Sequence, residues 1–177
     1  MKHLRTLLFS LLALLFLFSC EEEEEDPAPE NYFVVQKDGI KWEAEAAPEI
    51  WLFDMEEYLP GIDSLTVIGR RAEGEVMIQI AFTGVGTYSI PGNGTAQYHD
   101  LKGGDIMNSY YAHGNNGQQG QVVITEWNPD TKSIRGTFQF TAKLENYGNR
   151  PLDPNAPETL SFTEGEFQGT LKNVTFD

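Results

Sequence analysis

Cysteine is nearly missing: the 177 residues hold one, Cys20. No intramolecular disulfide can form. Histidine is scarce as well, with only His99 and His113 beyond His3. Too few nitrogen and sulfur ligands remain for a zinc site, and no G-x-S-x-G turn accompanies either histidine to make a serine nucleophile. Basic residues are few, 12 against 27 acids, for a net charge of −15. That balance excludes nucleic acid as a partner and excludes electrostatic docking on anionic lipid. No window carries the 3.6-residue apolar period of a long amphipathic helix. The longest apolar run, Leu7 to Phe18, is broken only by Ser10. At about 18 Å as a helix, it is shorter than a stable membrane span.

What is present begins with that run. Lys2 and Arg5 precede it, which is the plan of an export signal. Leu17-Phe18-Ser19-Cys20 follows and resembles a bacterial lipobox. The resemblance implies cleavage of residues 1–19, a diacylglycerol on the Cys20 thiol and a membrane partner held through that lipid. Phe18 is bulkier than the residue usual at its position. Glu21 to Glu25 and Asp26 come next, then Pro27, Ala28 and Pro29. A like-charged, proline-rich stretch repels itself and stays extended, so residues 20–30 are expected to be a flexible acidic tether. Acids directly after a lipidated cysteine also resemble the surface-export signal of Bacteroidota lipoproteins. The expected location is therefore the outer membrane, lipid-anchored, on its outer face; a periplasm-facing anchor is the alternative.

Residues 31–177 suit one domain, and their period is two. Ile134, Phe138, Phe140, Ala142 and Leu144 alternate with Arg135, Thr137, Gln139, Thr141 and Lys143. Val76, Ile78, Ile80 and Phe82 alternate with polar or small neighbours in the same way. Half-buried antiparallel strands read like this. Lys37-Asp38-Gly39 is a tight-hairpin signal. Glu73-Gly74, Asn128 to Lys132 and Glu164-Gly165 punctuate further strands. The pattern predicts an all-β antiparallel sandwich or barrel of roughly ten strands. Residues 91–105, 113–120 and 145–158 read as long connections, where binding residues usually collect.

Four short elements resemble a known family. They are Asp38-Gly39 with Trp42 and Ala44; Gly86-Thr87-Tyr88; Gly136-Thr137-Phe138-Gln139-Phe140-Thr141-Ala142; and Gly165-Glu166-Phe167. In this order they resemble a family of small uncharacterised Bacteroidota lipoproteins over residue 33 to the end. The resemblance implies an all-β fold and supplies no catalytic residue. Physically, Gly136 relieves crowding in a strand or marks a bulge, and Trp42, Phe138, Phe140 and Phe167 are expected in the core.

Tyr98, Tyr110, Tyr111, Trp127 and Tyr147 lie in or beside the long connections. Flat rings with polar tips suit sugars and protein partners alike. Tyr110 and Tyr111 are adjacent in a strand and must face opposite ways, so one is core and the other exposed. Asp63-Ser64-Leu65 resembles a bacterial O-glycosylation acceptor, which makes Ser64 a modification candidate. Asp54, Glu56, Glu57 and Asp63 offer carboxylates, but nothing in the spacing sets two of them across a sugar. Asn128-Pro129-Asp130 and Asp153-Pro154-Asn155 lack the rest of any calcium loop. No metal and no cofactor is expected. The leading expectation is a surface-anchored, non-enzymatic binding or accessory module for glycan or protein. A carboxylate-based glycan hydrolase and a purely structural envelope protein are the alternatives.

Overall fold

The computed structural model describes residues 31–55, 62–114, 117–145, 153 and 155–174. Cys20, the acidic tether, Glu56, Glu57 and Tyr147 lie outside them. Among the described residues there are twelve strands and no helix. The strands are β1 (Tyr32–Lys37), β2 (Ile40–Glu43), β3 (Glu49–Phe53), β4 (Asp63–Arg71), β5 (Gly74–Phe82) and β6 (Gly86–Ile90). They continue as β7 (Gly94–Lys102), β8 (Asp105–Ala112), β9 (Gly120–Asn128), β10 (Ser133–Leu144), β11 (Thr159–Thr170) and β12 (Lys172–Val174).

Alternation makes these strands. In β10, Ile134, Phe138, Phe140 and Ala142 are buried while Arg135, Thr137 and Gln139 face solvent. The β1–β2 hairpin turns at Asp38 (φ 50°) and Gly39 (φ 78°). Two successive left-handed residues match the right-handed twist of the strands they join. The Asp38 carboxylate accepts the Ser161 N–H at 2.8 Å, and the Asp38 N–H donates to the Ser161 carbonyl at 2.8 Å. The hairpin is thereby fastened to β11.

The strands form one hydrogen-bonded sheet that folds over on itself without closing. Its order is β12-β3-β4-β5-β7-β8-β10-β11-β1-β2, with β9 on β10 and β6 on β9. Strand β10 makes the fold-over. Ser133–Phe140 pair with β9, and then Lys143 and Leu144 pair with β8 along the same edge. Its other edge runs with β11 throughout. At the far side the chain leaves β11, passes buried Leu171 and resumes as β12, parallel to β3. Two layers result, β12-β3-β4-β5-β7-β8 and β6-β9-β10-β11-β1-β2, in a sandwich-like fold.

Aromatic rings fill the space between the layers. Phe140 stacks on Phe162 at 4.4 Å, Tyr98 packs against Phe162 at 5.5 Å, and Phe33 lies 5.0 Å from Phe138. Trp42 is 4% exposed, a core anchor as its pattern predicts. Bare backbone makes room for the rings. A Cβ on Gly136 would lie 2.7 Å from the Phe167 ring, and one on Gly165 would lie 2.5 Å from Phe138.

Two expectations about the chain's course are corrected. Residues 91–105 are not a long connection: most of them form β7, an interior strand between β5 and β8. Glu164-Gly165 does not separate two strands. Strand β11 runs through it with a bulge, Phe138 pairing Gly165 and Phe140 pairing Phe162, while Glu164 takes up the extra residue at φ 53°.

Candidate functional site

The five aromatic candidates part company in the structure. Tyr98 and Tyr110 are corrected: at 0% and 1% exposed they are core residues. Their rings point inward because β7 and β8 are strands whose Ala96, Tyr98, Tyr110 and Ala112 alternate towards the second layer. Burial, helped by the Asp100 carboxylate, pushes the Tyr110 phenol up to about 12 and the Tyr98 phenol higher still. Both are therefore neutral at ordinary pH. Trp127 is half-buried and packs edge-on against Phe82 at 5.7 Å, at the border of the core. Tyr147 lies outside the described residues. Tyr111 alone faces outward from the sheet, half-buried, while its neighbour Tyr110 faces in.

Tyr111 is the middle of a row of rings. Ser109, Tyr111 and His113 stand at i, i+2 and i+4 and share the outer side of the sheet. On β7 the same side presents Thr95, Gln97 and His99, with Gln97 directly across from Tyr111 and His99 across from Ser109. The His99 and His113 rings each lie 6.0 Å from the Tyr111 ring, one on either side of it. His99 Nδ1 is 3.0 Å from Ser109 Oγ, and His113 Nε2 is 3.1 Å from Glu145 Oε2. Each imidazole is thus held by a neighbour on the same surface. Gln97 is held too, its amide nitrogen 3.1 Å from the Met77 sulfur.

The acids and bases of this face are mostly spoken for. Glu75 sits across from His99 on β5 and bonds the Arg70 guanidinium, which also bonds Glu49 on β3. Serine, histidine and glutamate therefore occupy three neighbouring strands in line. Hydrolysis would also need N–H donors aimed at the reacting oxygen. In a strand the backbone N–H groups lie in the plane of the sheet, bonded across the ladder, rather than beside the outward side chain.

The remaining candidates are dispersed. Ser64 stands at the start of β4, hydrogen-bonded through its side chain to Gln79 at 2.9 Å and paired in register with Phe53 and Ala81 on both sides. Asp54 is exposed beyond β3 and Asp63 is half-buried on β4. Among the described residues no group of three His, Cys, Asp or Glu side chains is gathered to hold a metal ion.

The two histidines escape sequence reasoning because each is isolated in the chain. Their i, i+2 spacing to Tyr111 and to Gln97 is the signal, visible once residues 94–102 are read as a strand.

Comparison with curated proteins and with solved structures returns no match. Residues 30–170 match the family model described as a domain of unknown function, DUF6252, a span that takes in all four short elements noted in the sequence, and the chain belongs to that family.

Proposed function

We propose that the chain is a lipoprotein displayed on the outer face of a bacterial outer membrane, and that its β domain is a non-enzymatic binding module for glycan or protein. The export signal, Cys20 and the acids at 21–26 support the location, as does the resemblance of the short elements to those of Bacteroidota lipoproteins. The observation that carries the binding reading is the ring row. Tyr111 lies between His99 and His113 on the outer side of a rigid sheet, with amide, hydroxyl and carboxylate groups around it. Rings of this kind offer flat apolar faces, and their polar tips and neighbours hydrogen-bond hydroxyl or amide groups.

The test has two arms. Intact cells expressing wild type, Cys20→Ala or a chain with neutral residues at 21–26 are treated with protease. Surface display predicts that wild type is cut, that the Cys20→Ala chain is released from the membrane fraction, and that the neutralised chain is protected. Wild type that is membrane-bound yet protected overturns the surface location. Glycan and protein arrays are then probed with wild type and Tyr111→Ala. Equal binding by both overturns the ring row as the contact surface.

A further inference from the structure

The outer side that carries Tyr111 also carries a pocket. It lies where β4, β5 and the start of β7 run side by side, with a volume of about 340 Å³. Ser64, Gln79, Asn93 and Thr95 supply its polar wall, and Met55 and Ile62 its apolar wall, while Asp63, in register with core Phe82, turns to the other side of β4. Small-molecule sites run from about 300 to 1,000 Å³, so this one suits a group of single-ring size.

The pocket is built rather than incidental. Ser64 Oγ accepts a hydrogen bond from Gln79 Nε2 at 2.9 Å, which fixes the amide of that wall. The turn at Pro91–Asn93 is tied down on both sides. The Ala81 N–H donates to the Asn93 carbonyl at 2.7 Å, and the Asn93 N–H donates to the Ser89 carbonyl at 3.1 Å. Gly92 has φ 135°, a conformation that essentially only glycine adopts. At Gly94 a Cβ would lie 2.7 Å from the Gln79 carbonyl oxygen, so the turn lies closer to β5 than a side chain allows. A wall already ordered costs a ligand little to bind.

The lining chemistry selects the ligand. Its outward side chains offer amides and hydroxyls, and there is no lysine, arginine or histidine among the described lining residues. Phosphate and carboxylate ligands find no counter-charge there. Adjacent hydroxyls can donate to the amide oxygens and accept from the amide nitrogens, while a C–H face lies on Met55 and Ile62. We infer that this pocket is the binding site for a neutral polyhydroxylated ring, one saccharide unit, with the Gln79 and Asn93 amides as its main hydrogen-bond partners. The inference rests on the glycan form of the reading above. It places a saccharide ring beside the Tyr111 row, because Thr95 and Gln97 are neighbours on one side of β7 and Gln97 is across from Tyr111.

The probe is a panel of methyl glycosides of neutral hexoses and N-acetylhexosamines, with hexose 6-phosphates as anionic controls. Each is titrated into the full mature chain in detergent and followed by saturation-transfer NMR. A neutral glycoside is expected to bind at millimolar strength or better. Gln79→Ala, which removes an amide of the polar wall, should weaken it about fivefold or more. Thr95→Trp, at an exposed position, should abolish it, and Gln139→Ala, at an exposed position on the other layer, should leave it unchanged. Unchanged urea midpoints confirm that the variants are folded. Absence of glycoside binding, stronger binding of the phosphates, or indifference to both pocket variants overturns the pocket. Oligosaccharide binding lost in Tyr111→Ala but kept in Thr95→Trp also overturns it and leaves the broader binding reading standing.

Discussion

The Lys37 ammonium lies 3.0 Å from the Tyr98 hydroxyl and 4.4 Å from the centre of its ring. One cation from the end of β1 thus meets both the polar tip and the π face of a core tyrosine on β7. Behind it, Asn108 donates to the Asp100 carboxylate at 3.2 Å. Lys37→Met keeps the stem and loses the charge, and should cost about 1 kcal/mol, the size of one hydrogen bond with its cation–π contact. Urea unfolding of the two proteins measures it.

The same tyrosines set an alkaline limit. An unperturbed phenol titrates near 10, whereas burial holds Tyr110 at about 12 and Tyr98 above that. Around pH 11 the folded state keeps protons that the unfolded chain has released. Stability is then whole below about pH 10 and falls as pH rises through the native values. Urea midpoints measured from neutral pH to pH 12 should show that fall. Tyr98→Phe should flatten it, and an equally steep fall in Tyr98→Phe would remove Tyr98 as a source.

Tyr110 and Tyr111 give opposite predictions from adjacent positions. Tyr110→Ala opens a cavity beside Tyr98 and should cost about 3–5 kcal/mol. Tyr111→Ala empties a place on the outer surface and should change stability by under about 1 kcal/mol, while removing the binding described above. Equal losses of stability would mean that Tyr111 is a packing residue.

Gly165 has no room for a methyl group. Phe138 lies across the bare backbone, and a Cβ would intrude to 2.5 Å of its ring. Gly165→Ala should destabilise by about 1–3 kcal/mol, as overpacking does. Shortening the ring in the double variant Gly165→Ala, Phe138→Leu should recover part of that loss, because the clash is with the ring itself.

Asp38 closes the first hairpin and fastens it to β11. Asp38→Ala removes the acceptor of the Ser161 N–H and places a Cβ-bearing residue without its side-chain bond at φ 50°. A loss of about 1–2 kcal/mol is expected from thermal or urea unfolding. Asp38→Gly, free of the backbone penalty, should lose less.

Strands with large alternating residues were legible in the sequence, and β10 is the clearest. Strand β7 was not, because it buries only Ala96 and Tyr98 over much of its length, with glycines at 92, 94, 103 and 104 around it. Composition there speaks for a loop, while pairing with β5 and β8 makes a strand. That one misreading carried the site with it. It put Tyr98 among the exposed aromatics and hid the side of β7 where Gln97 and His99 meet Tyr111. Strand β12 is three residues long and is defined by its partner β3 rather than by any pattern of its own.

The position of β1 has a mechanical consequence. It enters the sheet directly after residue 31 and lies between β11 and β2, with Phe33 and Val35 locked in the core. Any pull on the chain upstream is delivered along that strand. Its bonds to β11 are loaded together in shear rather than opened one after another, and two buried side chains must be drawn out with them. The domain therefore resists extraction at its first strand, because β1 is held along both edges, by β11 and by β2.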